Sequence, residues 1–342
     1  MTGYDAFLLV SFGGPEQAED VRPFLQRVTA GRGVPQERLD EVAEHYFAAG
    51  GASPVNGHCR RLLDDIRPRM ADLGLASYWG NRNWHPLLED TLARMADDGV
   101  ERAVAFVTSA YGGYSSCRQY LDDISAARAK VGRRAPLVDK LRLFYDHPGW
   151  VHPWARSAAA AHTGCAAQLD AGSHGAGTED IEVIFTAHSI PVGAARTSPY
   201  VSHVTTTARL AAAAAGFGAW QLAWQSRSGS PASPWLGPDI VEVLGSSSAP
   251  GAVVVPIGFV CENMEVTHDL DVEAAAAARS RGMAFTRAGG VSSAPEFVAM
   301  VVSLVAERLV PGTERASLGE DGPWPDDCPV GHCPPPYRIP VG

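Results

Sequence analysis

The sequence predicts an α/β protein with two parallel sheets in tandem, each covered by helices. Three observations lead there. Strand and helix patterns alternate along nearly the whole chain. The strand candidates are short apolar runs bounded by Gly or Pro, such as 253–255 before Pro256, which is how a strand buried on both faces reads. At 342 residues the chain has room for two cores of ordinary size.

Taken in order, a strand over 5–12 ends in Gly13-Gly14-Pro15, where Pro15 suits the first turn of a helix. Glu16, Glu19 and Asp20 crowd that turn, as the helix dipole favours. A helix over 35–49 leads into the loop GGASPVNG, and another covers 59–73. A strand over 76–79 enters GNRNWHP before a helix over 87–96. A buried strand over 103–109 is followed by AYGGYSSC, a helix over 118–130 and a short strand over 141–145. The helix 151–169 ends in GSHGAGTED, a surface linker by composition. Then come a strand over 181–187, a helix over 205–215, a strand over 221–225, the loop SRSGSPASPWLGP and a helix over 239–244. The strand 253–255 and a helical pattern after it lead to a last short strand over 284–286 and a helix over 294–309. The alternation divides the chain into 1–150 and 151–293, with helix 294–309 returning to the first half and a proline-rich tail over 310–342.

Composition narrows the function. A formal charge of −10 argues against nucleic acid as the main partner, because phosphate contact needs a basic patch. No apolar run approaches the roughly 20 residues of a membrane span, and the first residues read as a strand rather than a leader, so a cytoplasmic protein is expected. Six cysteines in a reducing compartment point to metal ligation or plain burial, not to a disulfide framework.

Ligands of open parallel sheets bind beyond the carboxyl ends of the strands. There the second half places His188, the loop 226–235 and the stretch 259–265; the first half places Gly13-Gly14, 81–85 and 111–117. Two such edges facing each other make a cleft suited to a flat ligand. In the helix after 253–255, Glu265, Asp269 and Glu273 fall at i, i+4 and i+8, stacking three carboxylates on one face. No Lys or Arg sits at matching positions, so either water screens the row or a cation uses it.

Six motifs in register, LLVSFGGPE, HYFAAGGASPVNG, YWGNRNWHP, FTAHSIP, PWLGP and PIGFVCENMEVTHDLDVE, resemble the ferrochelatases. The resemblance spans about Asp5 to Leu309 and is nearest to the enzymes of high-GC Gram-positive bacteria. It implies two Rossmann-like domains of chelatase type around a cleft, and insertion of ferrous iron into coproporphyrin III with release of two protons. Protoporphyrin IX is the alternative porphyrin. A cobalt or nickel chelatase of the same fold and a bilobal binding protein for a tetrapyrrole or metal are the rival readings. The expected partners are the porphyrin and ferrous iron, with no nucleic acid; the expected state is a monomer in transient contact with neighbouring haem-pathway enzymes.

The resemblance assigns His188 and Glu265 to catalysis and metal handling, with Asp269 and Glu273 as the acidic row behind them. An imidazole that titrates near pH 6.5 suits the removal of pyrrole protons at neutral pH. The family often has Asp-His where this chain has Glu262-Asn263, so no relay histidine stands there, and His268 one turn onward is expected to face solvent. Phe12 falls where some coproporphyrin enzymes carry a tyrosine, and a phenyl ring cannot ligate iron. Phe12, Ser53, Arg82, Ser115, Ser116, Tyr120 and Trp235 are the porphyrin-binding candidates, Arg82 because guanidinium binds carboxylate bidentately. Cys165, Cys328 and Cys333 match positions that hold a 2Fe-2S cluster in relatives. Such a cluster wants four ligands. The fourth is open among Asp326, Asp327, His332, Cys261 and Cys117, and the alternative is a loose tail without a cluster.

Overall fold

The computed structural model describes residues 3–31, 33–171, 180–228, 234–329 and 331–335. Most of the expected linker 172–180, part of the loop 226–235 and the last tail residues lie outside the described residues.

Two four-stranded sheets form, each wholly parallel. The first has the order β2-β1-β3-β4, with β1 Ala6–Ser11, β2 Ala76–Asn81, β3 Arg102–Val107 and β4 Leu137–Lys140. The second has the order β6-β5-β7-β8, with β5 Ile181–His188, β6 Gln221–Gln225, β7 Gly251–Val255 and β8 Ala284–Arg287. Strands β1 and β7 are buried at every position, which is why they read as unbroken apolar runs rather than alternating ones.

One apolar cluster runs through both halves. Phe7, Leu9 and Phe106 of the first sheet join Phe185, Val253 and Val255 of the second by way of Phe144, Trp150, Trp154 and Phe297. Phe144 stacks on Phe106 with ring centres 5.1 Å apart and meets Trp150 edge-on at 5.6 Å, geometry that aromatic quadrupoles favour. Helix Pro295–Leu309 packs against helices Val55–Asp72 and Pro148–Ala171 and strand β3. A buried ion pair, Arg142 with Glu307, pins it there with side chains 1% and 3% exposed. Arg142 also donates to the Ala316 carbonyl, which satisfies the guanidinium and draws the tail in.

The structure differs from the expected elements at four places. Residues 141–145 form no strand; the edge strand is the preceding Leu137–Lys140, whose charged, half-exposed residues hid it, while the apolar 141–145 plunges irregularly into the core. The first helix is Ala18–Thr29, not a helix opened by Pro15; the Pro15 carbonyl instead accepts from the Ser53 amide at 2.8 Å. The helix after β7 is α-helical over Met264–Val266 but π-helical over Thr267–Ala274. The tail has no helix or strand among its described residues, yet it is not loose: Ser317 Oγ donates to Asp146 at 2.6 Å and the Leu318 amide to the Asp146 carbonyl at 2.9 Å.

Two histidines make this packing acid-sensitive. His147 Nδ1 accepts from the Gly149 amide at 2.9 Å and His203 Nδ1 from the Gly112 amide at 3.1 Å, so both rings are held neutral. Burial pulls His147 down to about 4 and His203 to about 3. A group depressed on folding lends its full stability above its unfolded value near 6.5 and loses it as pH falls toward the folded value. Urea unfolding should therefore show a loss of about 2–3 kcal/mol per histidine between pH 7 and pH 4.5, and His203→Phe should flatten that slope.

Candidate active site between the two sheets

The carboxyl ends of the two sheets face each other. Tyr111, just after β3, donates its hydroxyl to the Ile257 carbonyl after β7 at 2.7 Å. Cys59 and Cys261 bring their sulfurs to 4.0 Å across the same gap, and His58 Nε2 lies 3.8 Å from Glu262. The loop after β7 can reach β5 because residue 258 is glycine; a Cβ there would sit 2.5 Å from Ala187 Cα.

His188 ends β5 with its side chain at this gap. Its Nδ1 lies 2.5 Å from the Ser189 carbonyl, which only accepts, so Nδ1 carries a proton and Nε2 points elsewhere. Tyr200 donates to the His188 carbonyl at 2.9 Å and fixes the backbone. Nε2 lies 3.4 Å from Glu265 Oε1. Asn263 holds the carboxylate in place: its side chain caps the helix by accepting from the Val266 amide at 3.0 Å, and its Nδ2 reaches Glu265 Oε2 at 3.4 Å.

The pair sets its own charge. Burial alone would pull His188 down, but the Glu265 carboxylate overrides it and pushes it up to about 9, helped by the Ser189 carbonyl and Asp269. Burial in turn pushes Glu265 up, and the facing imidazolium and Asn263 hold it below the usual carboxylate range. At neutral pH the pair is imidazolium and carboxylate. The imidazole titrating near 6.5 that the sequence suggested is corrected here, because its partner is a buried anion.

Asp269 and Glu273 continue from Glu265 along the π-helical stretch. In an α-helix a residue at i+4 drifts about 40° round the axis from residue i; the wider π turn removes most of that drift and keeps the row aligned. Asp269 accepts a short hydrogen bond from Ser226 Oγ, and burial with Glu265 and Glu273 pushes it up to about 6. His268 does not face solvent as expected. Its ring stacks on His45 with centres 4.0 Å apart, and its Nδ1 lies 3.6 Å from Asp269 and 3.9 Å from Glu273. One ligand atom from each of His268, Asp269 and Glu273 falls within 4.8 Å of the others, spacing that suits a divalent cation. His45 opens the HYFAAGGASPVNG motif, but its place beside His268 had no signal in the sequence, since it arrives from a helix of the other half.

The porphyrin-binding candidates separate into two groups. Phe12 is 39% exposed at the end of β1, edge-on to Phe24. Arg82 lies 5.7 Å from the Phe12 ring and 4.4 Å from the Tyr120 ring, is bonded to Asp123, and leaves only 4% of its side chain exposed. Ser53 and Tyr120 are buried. Ser115 is exposed and Ser116 half-buried on the π-helical turn Tyr114–Arg118, with Ser116 Oγ buried and unpartnered. Trp235 is half-buried near Pro191, its Nε1 without a partner.

The cysteines do not gather as expected. Cys165 is fully buried against the Ala252 and Ala284 carbonyls, well along helix Pro148–Ala171 and away from the tail pair. Cys117 is buried on the turn Tyr114–Arg118; burial, with Cys117 and Cys328 adding to it, pushes the Cys333 thiol up. A separate cavity of about 410 Å³ opens at the other end of the second sheet, lined by Glu182, Gln221 and Glu242, and shares no residue with the His188 site.

A histidine and a carboxylate facing each other between the carboxyl edges of two parallel sheets, with an acidic row behind, define a protein of the chelatase fold. The solved structure titled SirB from Bacillus subtilis with Fe3+ has that architecture, with a TM-score of 0.52 at 10% identity over 92% of this chain and all of that one. A multi-domain protein from Deinococcus radiodurans, DR2241, has a TM-score of 0.50 at 16% identity; this chain spans 57% of its length. At those identities the likeness is one of fold. Sequence is more specific: the ferrochelatase family model matches residues 4–309. A ferrochelatase of Rhodopirellula baltica is 46% identical over 96% of this chain and 93% of its own. Coproporphyrin III ferrochelatases of Mycobacterium avium and Frankia alni are each 47% identical, over 93% and 98% of this chain and 92% and 88% of theirs. The chain belongs to the ferrochelatase family.

If Glu265 holds the His188 proton, Glu265→Gln should drop the His188 titration by at least about one pH unit, as expected for loss of an opposite charge at this range. NMR titration of the imidazole measures it; an unchanged value would return the elevation to other groups.

Proposed function

We propose that this chain inserts ferrous iron into coproporphyrin III, with His188 and Glu265 managing the protons and the metal. The observation that carries the reading is the 3.4 Å imidazolium–carboxylate pair at the mouth of an aligned acidic row. Insertion breaks two pyrrole N–H bonds and forms iron–nitrogen bonds, so two protons must leave as a divalent cation enters. At rest Glu265 keeps His188 protonated. An Fe2+ ion drawn along Glu273 and Asp269 to Glu265 cancels the charge that holds that proton, and burial then favours the neutral imidazole. The freed Nε2 is the base for the pyrrole protons. Asp269, poised near 6, is the next carboxylate able to carry them outward. Oxygen and imidazole donors bind Fe2+ loosely enough to release it to the macrocycle.

The choice of coproporphyrin rests on the named activity of the mycobacterial and Frankia relatives. Ser115 and Ser116 are the donors that meet propionates. Arg82 reaches one only by leaving Asp123, so at rest it braces Phe12 and Tyr120 as the wall behind the macrocycle. Ser53 supports the turn after β1, and Trp235 lines the opposite rim. Residues 1–150 and 151–293 act as the two walls of the cleft. We also read the tail cysteines Cys328 and Cys333 as ligands of a 2Fe-2S cluster, since thiolates are the donors such a cluster takes; Cys165 is buried against the Ala252 and Ala284 carbonyls. When bound, such a cluster would supply a one-electron redox centre.

His188→Ala should keep the fold and lower kcat by about 10²-fold or more, the loss expected for a catalytic base. The paired change Asp269→Asn with Glu273→Gln should raise the KM for iron while leaving porphyrin binding nearly constant; unchanged iron dependence would reduce the row to a solvated helix face. Turnover of coproporphyrin III should exceed that of protoporphyrin IX and sirohydrochlorin, and a preference for either of those would reassign the substrate.

A further inference from the structure

The seam between the two halves holds a pair of facing thiols. Cys59 lies on helix Val55–Asp72 and Cys261 on the loop after β7, 202 positions apart in the chain, yet their sulfurs stand 4.0 Å from each other. Both are buried and neither is in a disulfide. Each sits on a well-braced part of its own wall. The helix of Cys59 also carries Asn56, which donates to the Gly14 and His85 carbonyls at 3.2 and 3.1 Å. Cys261 adjoins Glu262, which accepts from Arg287 at 2.7 Å and from the Gly290 amide at 3.1 Å. Glu265 follows on the same short stretch of chain.

We propose that Cys59 and Cys261 form a redox-modification site, which a hydroperoxide converts to a disulfide that locks the two walls of the cleft and slows iron insertion. The effect on iron insertion rests on the function proposed above; the modification itself does not. The two thiols have different parts. The Cys261 thiol, the Ser11 hydroxyl and Arg60 favour the Cys59 thiolate and hold it below the usual thiol value, while that thiolate and burial push Cys261 well above it. Ser11 Oγ accepts from Thr108 at 3.1 Å, which leaves its own proton free for Cys59. Hydrogen peroxide is scarcely larger than water and reaches the pair through local opening of the seam. The Cys59 thiolate attacks one peroxide oxygen, giving a sulfenic acid and hydroxide, which takes up the proton that Cys59 had shed. The Cys261 thiol then displaces the sulfenic oxygen as water. Two thiols and one hydrogen peroxide give one disulfide and two waters, with two electrons passing from sulfur to oxygen. Closing the pair draws the loop that leads to Glu265 toward the first half, and a misplacement of about 1 Å at a reacting group can cost about 10²-fold in rate.

The test uses the full chain, reduced, freed of reductant without oxygen, treated with hydrogen peroxide and then alkylated. Peptide mapping by mass spectrometry should find Cys59 joined to Cys261, lighter by two hydrogens than the two thiol peptides. Iron insertion into coproporphyrin III should fall by about tenfold or more and return on adding dithiothreitol. Cys59→Ser and Cys261→Ser should each turn over as the reduced wild type does and keep that rate after peroxide. Cys261→Ala, which leaves no hydroxyl in the seam, should behave alike. Peroxide that oxidises the exposed Cys328 but leaves Cys59 and Cys261 as free thiols would overturn the site. A cross-link with undiminished turnover would overturn the lock, and so would an equal loss of turnover in Cys261→Ser. A reduced wild-type chain that inserts no iron would instead overturn the function proposed above, and the cross-link would still decide the thiol site.

Discussion

The molecule depends on holding two sheet edges face to face. A parallel sheet delivers its side chains and loops at the carboxyl ends of its strands, and one such edge is only half a site. Here the two halves share an apolar core through Trp150, Trp154 and Phe297, and are tied at the rim by the Tyr111–Ile257 hydrogen bond, the Cys59–Cys261 contact and the stacked His45 and His268 rings. The core supplies the free energy, because apolar burial scales with area. The rim contacts supply the register. Gly258 is part of the same constraint, since any side chain there would push the loop bearing Glu265 off the backbone before His188.

Within that frame the site works by charge that is almost compensated. An isolated buried imidazolium or carboxylate would neutralise itself, whereas the two together stabilise each other's charged form. The balance leaves one surplus: Glu265, Asp269 and Glu273 carry more negative charge than His188 and His268 can offset, and burial drives part of that surplus onto a proton at Asp269. The π-helical stretch contributes by geometry, keeping the carboxylates in line where an α-helix would fan them round its axis.

The tail couples to the cleft through the first half. Arg142 joins Glu307 to the Ala316 carbonyl, Asp146 takes Ser317 and the Leu318 amide, and Trp324 closes over His203, which receives the Gly112 amide beside the turn that carries Ser115, Ser116 and Cys117. A segment too rich in proline for helix or strand is thereby ordered by side chains and carbonyls rather than by a ladder of its own. Its position bears on the wall of the cleft.

The sequence by itself determined the α/β class, the parallel sheets and most element positions, because strands buried on both faces leave apolar runs bounded by Gly or Pro. It also set His188 at a strand end and Glu265 at the start of a helix. It was misled over 141–145, where apolar residues signalled burial and burial was taken for a strand. Four matters waited for the tertiary structure. The imidazolium state of His188 depends on a 3.4 Å separation across 77 residues of chain, which spacing does not encode. The π turn depends on hydrogen bonds that shift by one residue without changing the apolar pattern. Arg82 is occupied by Asp123, a partner from a different helix. Cys165 is sealed against the Ala252 and Ala284 carbonyls, contacts that its place in a helical pattern does not reveal. Local pattern is fixed by neighbours in the chain; proximity between distant segments is fixed by how the two sheets pack, and protonation, ligand sets and occupied side chains all follow from that proximity.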